Sequence, residues 1–303
     1  MKDDWKKNGP VVIGGLGGSG TRVIAEIISS LGFFIGRDLN IASDNLWFTF
    51  LFKRPTWYPK HRHDQDTIDI GLRLLQKTML GTSALTGDEY RYLFSALKSA
   101  CKDGFSYKHI GEGRTKWGLQ RLTRVLTQRP NPKRNYVGWG WKEPNSHLMI
   151  DDIARNFKDC KYIHTVRHGL DMAFSNNQHQ LHLWGECFGV DVPGDKQRLP
   201  QASYRYWVQA NREALRRGQN LGADRFMLLN FDQLCRDPER ELQKLAGFLH
   251  SEMTDHDLGK IKGFIKPPDS IGRHLQHGID MFRGEDLSAL AEFGFPAVEG
   301  QDS

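Results

Sequence analysis

The sequence predicts an α/β protein, with a central parallel sheet, helices on both faces and a helical insertion after the first βα unit. Three stretches predict it. An apolar run at 10–13 enters a glycine loop and then a helix; a second run, 161–166, ends at Arg167 before another helix; a third, 225–230, is followed by Asp237-Pro238-Glu239 and a helix reaching about Leu249. The 303 residues are expected to form one domain, with 36–135 as the insertion.

The first element is Val11-Val12-Ile13, then Gly14-Gly15-Leu16-Gly17-Gly18-Ser19-Gly20, then a helix from Thr21 to Leu31 closed by Gly32. A loop almost free of side chains at a helix N-terminus points several N–H groups at one spot, backed by the positive end of the helix dipole. That arrangement binds phosphate or a similar anion. Gly15 and Gly20 have the spacing of a Walker loop, but Thr21 stands where its lysine belongs, which argues against ordinary nucleoside triphosphate hydrolysis. Gly15, Gly17 and Gly20 also spell G-x-G-x-x-G, with Asp38 about where a ribose-binding acid would sit. After Asp38, however, the chain runs through Asn45–Phe52 into an aromatic, basic, proline-broken stretch, 53–59, rather than a second Rossmann unit.

Within the insertion, Ile68, Leu72, Leu75 and Met79 give helical spacing over 67–79, as do Tyr92, Leu93, Ala96 and Leu97 over 88–102. These stripes read as core. Residues 108–134 gather Lys108, Arg114, Lys116, Arg121, Arg124, Arg129, Lys133 and Arg134. A solvated face is the default for such a run; a wall that binds an acidic or sugar acceptor is the sharper alternative. Nucleic-acid binding ranks third, because Trp117 is the only aromatic interleaved and no recognition motif is present.

Residues 136–148 read as a short strand with Lys142 at its tip, a turn, and a helix that begins near Pro144. In a parallel sheet this brings Lys142 to the same edge as the glycine loop and Arg167. The plainer alternative is a solvated lysine paired with Glu143 or Asp151. After the strand at 161–166, Arg167 lies at the ligand-binding edge of an open sheet. Ser175 is expected two turns along the next helix, so that a guanidinium fork and a hydroxyl grip one phosphate. Alternatively Arg167 pairs with Asp171 and Ser175 is an ordinary helix residue. Residues 184–200, rich in Gly, Asp and Pro, read as a surface loop.

Taken together, Ser19-Gly20-Thr21, the Arg167–Ser175 spacing, the late strand with the turn at Asn230-Phe231-Asp232-Gln233-Leu234, and Ile271-Gly272-Arg273 resemble the sulfotransferases that use 3′-phosphoadenosine 5′-phosphosulfate (PAPS). The resemblance covers the first 35 residues and most of 136–295. It implies a P-loop-like sulfotransferase fold, with Gly17, Gly18, Ser19, Gly20, Thr21 and Arg22 around the 5′-phosphosulfate. It places Arg167 and Ser175 at the 3′-phosphate, with Arg273 in a segment that closes over the nucleotide. Many members carry a lysine immediately before Ser-Gly-Thr and an aromatic after it. Here Gly18 and Val23 occupy those positions and Arg22 is a new cation, so the resemblance is to a divergent member.

The resemblance implies transfer of a sulfuryl group to a hydroxyl or amine of a small-molecule or carbohydrate acceptor. Lys142 is the expected replacement cation, since some members carry a similar Lys-x-Pro segment. The acceptor's proton needs a base: Glu143 is the first candidate, His147 the second, with Asp44 and the histidines at 61, 63, 164 and 168 also open. Two other readings stand beside this one. One is a dinucleotide-dependent oxidoreductase on Gly15, Gly17, Gly20 and Asp38; the other is a degenerate nucleotide-binding protein.

The net charge of +6 suits an anionic ligand. Cysteines 101, 160, 187 and 235 are far apart, without zinc spacing, and read as free thiols of a reducing, cytoplasmic compartment. Residues 1–10 are polar and charged, unlike a signal peptide, and no run of ~18 apolar residues suggests a membrane span.

Overall fold

Among the described residues, five strands form one sheet: β1 (Val11–Gly15), β2 (Phe33–Phe34), β3 (Gly138–Lys142), β4 (Lys161–Val166) and β5 (Phe226–Asn230), in the order β2-β3-β1-β4-β5, with these strands paired in parallel. The computed structural model describes residues 4–81, 84–103, 113–131 and 134–296. β1 is β-branched at Val11, Val12 and Ile13, which favours an extended strand. All five of its residues are buried, as expected of a parallel strand covered on both faces. Side chains alternate across it. Val11 and Ile13 pack with Ile24, Ile28, Ile163 and Leu242, whereas Val12 packs with Trp139, Trp141 and Tyr162.

The first of these two cores is closed by helices Thr21–Ser30, Phe231–Arg236 and Pro238–Leu249; the second by Leu46–Phe52, Gln65–Leu80, Ile150–Asn156 and Leu199–Leu221. The path fixes the ligand edge. From β1 the chain goes outward to β2, returns as β3 beside β1, and only then crosses to β4 on the other flank. The carboxyl ends of β3, β1 and β4 therefore lie side by side where the winding reverses, the place where open α/β sheets form a crevice.

Between β2 and β3 lie the helices Leu46–Phe52, Tyr58–His61, Gln65–Leu80, Gly87–Asp103 and Arg114–Thr127. The predicted stripes are core: Ile68, Leu72, Leu75, Met79, Leu93 and Ala96 are almost wholly buried. The basic run is not simply a solvated face. Arg121 is buried, and both it and Arg124 pair with the fully buried Asp38. Lys108 and Lys133 lie outside the described residues.

Two expectations need correction. Residues 184–200 are not all surface loop. Trp184 is buried at the end of helix His179–Trp184, and Leu199-Pro200 opens the 23-residue helix Leu199–Leu221. Proline is welcome in a first helical turn, and Tyr204, Trp207, Val208, Asn211 and Ala214 supply the buried stripe. Ser175 is not two turns along a helix. The helix after Arg167 is only Gly169–Ala173: the Phe174 N–H makes the last helical bond, to the Leu170 carbonyl, and the Ser175 N–H turns back to the Met172 carbonyl. Ser175 follows in a turn, where its Oγ accepts the Asn177 N–H at 3.1 Å. No helix among the described residues is long and apolar enough to cross a membrane.

Candidate active site

After β1 the chain turns through residues 16–20 and enters the helix at Thr21. Gly18 and Gly20 have φ of +94° and +87°, values that strain any residue with a Cβ. At Gly20 a Cβ would also fall 2.2 Å from the Phe231 ring. The N–H groups of Gly18, Gly20, Thr21 and Arg22 have no acceptor among the described residues. The Ser19 hydroxyl is buried without a partner. Buried polar groups are normally satisfied, so these unmet donors fit an anion. Gly17 differs: its N–H is taken by Gln180 Oε1 at 2.6 Å. The Arg22 side chain is 58% exposed and lies along the helix, 4.0 Å from Glu26.

Arg167, only 7% exposed, reaches this loop from the end of β4. Its Nη1 lies 3.5 Å from the Gly18 carbonyl, Nη2 donates to Ser270 Oγ at 2.9 Å, and Nε stands 3.7 Å from Asp232 without a hydrogen bond. Burial lowers the Arg167 pKa, Asp232 and Asp171 oppose that, and nearby Arg273 adds to it. Two guanidiniums close together in a partly dry place invite an anion.

Asp171 does not pair with Arg167 through a hydrogen bond. Its carboxylate accepts the N–H groups of Gly272 and His274 at 2.8 and 3.0 Å and His274 Nδ1 at 2.6 Å. Burial opposes ionisation, but these bonds outweigh it and hold Asp171 at about 2. Arg273 Nη1 donates to the Asp171 carbonyl at 3.2 Å. Asp171 thus ties residues 272–274 beside Arg167.

On the other flank, Lys142 ends β3 and is 2% exposed. It is not the solvated lysine of the plainer expectation: Nζ donates to the Ala42 carbonyl at 2.9 Å and pairs with Asp44. Glu143 is fully buried and caps the following turn. Its Oε2 and Oε1 accept Asn145 N–H and Nδ2 at 2.6 and 2.8 Å. Burial pushes its pKa up to about 7, with Asp44 adding and Lys53, Asn145 and Lys142 opposing.

His147 is a poorer base. Burial, with help from His164 and Arg217, drives it down to about 3 against the pull of the Pro144 carbonyl 2.9 Å from Nδ1. It also lines a separate cavity of about 510 Å³ with Tyr58, Arg62, Arg155, Arg212 and Arg217, which none of residues 16–22 touches. The arginines at 155, 212 and 217 are already paired with acids there.

His164 and His168 are likewise held at about 4, chiefly by burial. With His147, they take up protons near 6.5 only in the unfolded chain, so the stability they lend is lost as pH falls below that value. Glu143 acts oppositely: its folded pKa is raised, so between about 4.5 and 7 it favours the folded state at lower pH. Three groups outweigh one. Stability to urea is expected to fall by roughly 1–3 kcal/mol per unit between pH 6.5 and 5; a flat or rising midpoint would contradict neutral burial of these imidazoles.

The edge therefore gathers Gly18, Ser19, Gly20, Thr21, Arg167, Arg273, Lys142 and Glu143, while the Arg22 and Ser175 side chains make only local contacts. Asp38 is engaged by two arginines inside the fold, which removes the acid of the dinucleotide reading. Gln180, Asn145, Ser270 and Asp232 went unrecognised as site residues. The last lies in the Asn230–Leu234 turn; the other three carried no sequence signal of their own.

A family model described as "Sulfotransferase family" matches residues 10–255. No curated protein matches the chain. Among solved structures, the sulfotransferase domain from the curacin biosynthetic pathway aligns with 96% of this chain and 99% of that one, at 12% identity and a TM-score of 0.50. The sulfotransferase domain of the Synechococcus PCC 7002 olefin synthase covers 98% of each chain at 16% identity and a TM-score of 0.43. Sulfotransferase STF1 from Mycobacterium tuberculosis H37Rv covers 94% of this chain and 77% of that one, at 10% identity and a TM-score of 0.45.

Proposed function

The chain belongs to the sulfotransferase family, and from that premise we propose that it moves a sulfuryl group from PAPS to a hydroxyl or amine of a small-molecule or carbohydrate acceptor. The observation that carries the reading is the approach of Arg167 Nη1 to within 3.5 Å of the Gly18 carbonyl. Two anion-binding groups, distant in sequence, share one rim and suit a nucleotide with phosphates at both ends. The N–H groups of Gly18, Gly20, Thr21 and Arg22, with the Ser19 hydroxyl, would hold the 5′ end, joined by the Gly17 N–H once Gln180 gives it up; Arg167 and Arg273 would hold the 3′-phosphate.

The donor supplies an activated sulfuryl group and leaves as adenosine 3′,5′-bisphosphate. The chain's residues do the rest. Unmet N–H groups at the helix start stabilise the charge that grows on the leaving phosphate, work that rests on positioning and electrostatics. Lys142, fixed by Asp44 and the Ala42 carbonyl, takes the place of the missing loop lysine as the buried cation of the rim. Glu143, poised near neutrality, accepts the acceptor's proton.

Thermal-shift titration tests the donor class. Adenosine 3′,5′-bisphosphate at 100 times its Kd is expected to stabilise the protein by ~2.7 kcal/mol, with NAD and NADP without effect. Stabilisation by a dinucleotide alone would overturn the proposal. Tight bisphosphate binding without sulfuryl transfer to any of a panel of alcohols, amines and sugars would instead favour a degenerate binding protein.

A further inference from the structure

Both ends of the Gln180 amide are engaged. Oε1 accepts the Gly17 N–H at 2.6 Å, and Nε2 donates to Asn145 Oδ1 at 2.8 Å. Asn145 Oδ1 also accepts the Trp184 indole N–H at 2.9 Å. Asn145 in turn donates its N–H and Nδ2 to the two oxygens of Glu143. An amide donates at one end and accepts at the other, so a single group fixes the polarity of the series. Gly17 can only donate. Gln180 must therefore face it with oxygen and face Asn145 with NH2. Asn145 must then face Gln180 with oxygen and the carboxyl with NH2. The indole N–H of Trp184 enforces the same orientation. Asn145, Glu143 and Trp184 are all buried, so water does not readily substitute for a lost partner.

Resting on the sulfuryl-transfer reading, we propose that Gln180 is a positioning residue that carries the state of the glycine loop to Glu143 through Asn145. An anion's oxygen brought to the Gly17 N–H meets the Gln180 amide oxygen head on. Gln180 cannot answer by flipping, because its oxygen would then face Asn145 Oδ1, which Trp184 holds in place. It withdraws instead. Asn145 is then left with one of its two anchoring donors, and its Nδ2 bond to Glu143 loosens. That bond favours the charged carboxylate, so the proton affinity of Glu143 rises as the donor arrives. The other groups facing the carboxyl stay in place: Lys142 on β3, Lys53 at the end of helix Leu46–Phe52, Asp44 in the loop before it, and Tyr162 on β4.

The test is an infrared titration of the buried carboxyl in the whole protein, its band assigned by loss in Glu143→Gln, without and with adenosine 3′,5′-bisphosphate. Bisphosphate is expected to raise the wild-type midpoint by about 0.5–1 pH unit. In Gln180→Leu the midpoint should be raised already and no longer respond to the ligand. Trp184→Phe keeps an aromatic, though smaller, side chain and removes the N–H; it should shift the midpoint the same way, so the inference stays testable if Gln180→Leu fails to fold. Wild-type titration in both folded variants would overturn it, as would a wild-type midpoint that does not move when bisphosphate binds. Failure of bisphosphate to bind the wild type would count against the sulfuryl-transfer reading instead, and the ligand-free variant titrations would still decide the relay.

Discussion

Arg167→Ala is expected to weaken binding of adenosine 3′,5′-bisphosphate about 10²- to 10³-fold, measured by calorimetry. The guanidinium is almost wholly buried, with one arm toward Gly18, one on Ser270, and Nε left without a hydrogen bond. Charged hydrogen bonds of this kind, formed away from water, are strong, and removing one partner of a buried charged pair commonly costs 2–5 kcal/mol. Part of the loss would come from Asp232, which Arg167 helps to neutralise. The control therefore lies in the ligand. Adenosine 5′-monophosphate, which has no 3′-phosphate, should bind wild type and Arg167→Ala within about threefold of each other. Arg167→Lys should fall between, since lysine keeps the charge without the planar fork. Equal losses for both nucleotides would mean that Arg167 only supports the loop, and unchanged bisphosphate affinity would remove the assigned 3′ pocket.

Glu143→Gln is expected to lower turnover by roughly 10²- to 10⁴-fold, the usual range for loss of a general base, while bisphosphate affinity stays within a few-fold. A carboxylate in water would be a weak base at neutral pH; burial lifts this one to about 7. The wild-type rate should therefore fall about tenfold per unit as pH drops below that value, because the base must be ionised to act. Both measurements use any acceptor that the wild-type protein sulfates. A Glu143→Gln enzyme with normal turnover would end the role proposed for this carboxyl and leave Asp44, the partner of Lys142, as the next group to substitute. His147 is not that group, since its proton affinity is far too low.

The glycine loop and the strand-end arginine were readable because each is a local pattern. A glycine loop between a β-branched strand and a helix has few uses, and the left-handed φ values at Gly18 and Gly20 are what those glycines permit. The strand at Lys161–Val166 was legible for the same reason, as an unbroken run ending at an arginine. The helix Leu199–Leu221 carries an apolar stripe of its own, but the Gly, Asp and Pro residues just before it give the stronger local signal of a loop. Ser175 failed for a different cause. Nothing in 169–175 says that the helix closes at Ala173, because what closes it is a set of turn bonds from the Ser175 N–H and the Gln178 side-chain amide.

Sequence by itself determined the sheet class, the glycine loop, the strand-end arginine and lysine, and the kinship that these residues suggested. Only the tertiary structure decided the partners: Asp38 with Arg121 and Arg124, Lys142 with Asp44, Asp171 with Gly272 and His274, and Gln180 with Gly17 and Asn145. The reason is physical. Backbone conformation and hydrophobic period are set by near neighbours and leave a pattern in the chain. A buried charge or amide is satisfied by whichever group the fold carries to within about 3 Å, and the Gly17–Gln180 pair lies 163 residues apart.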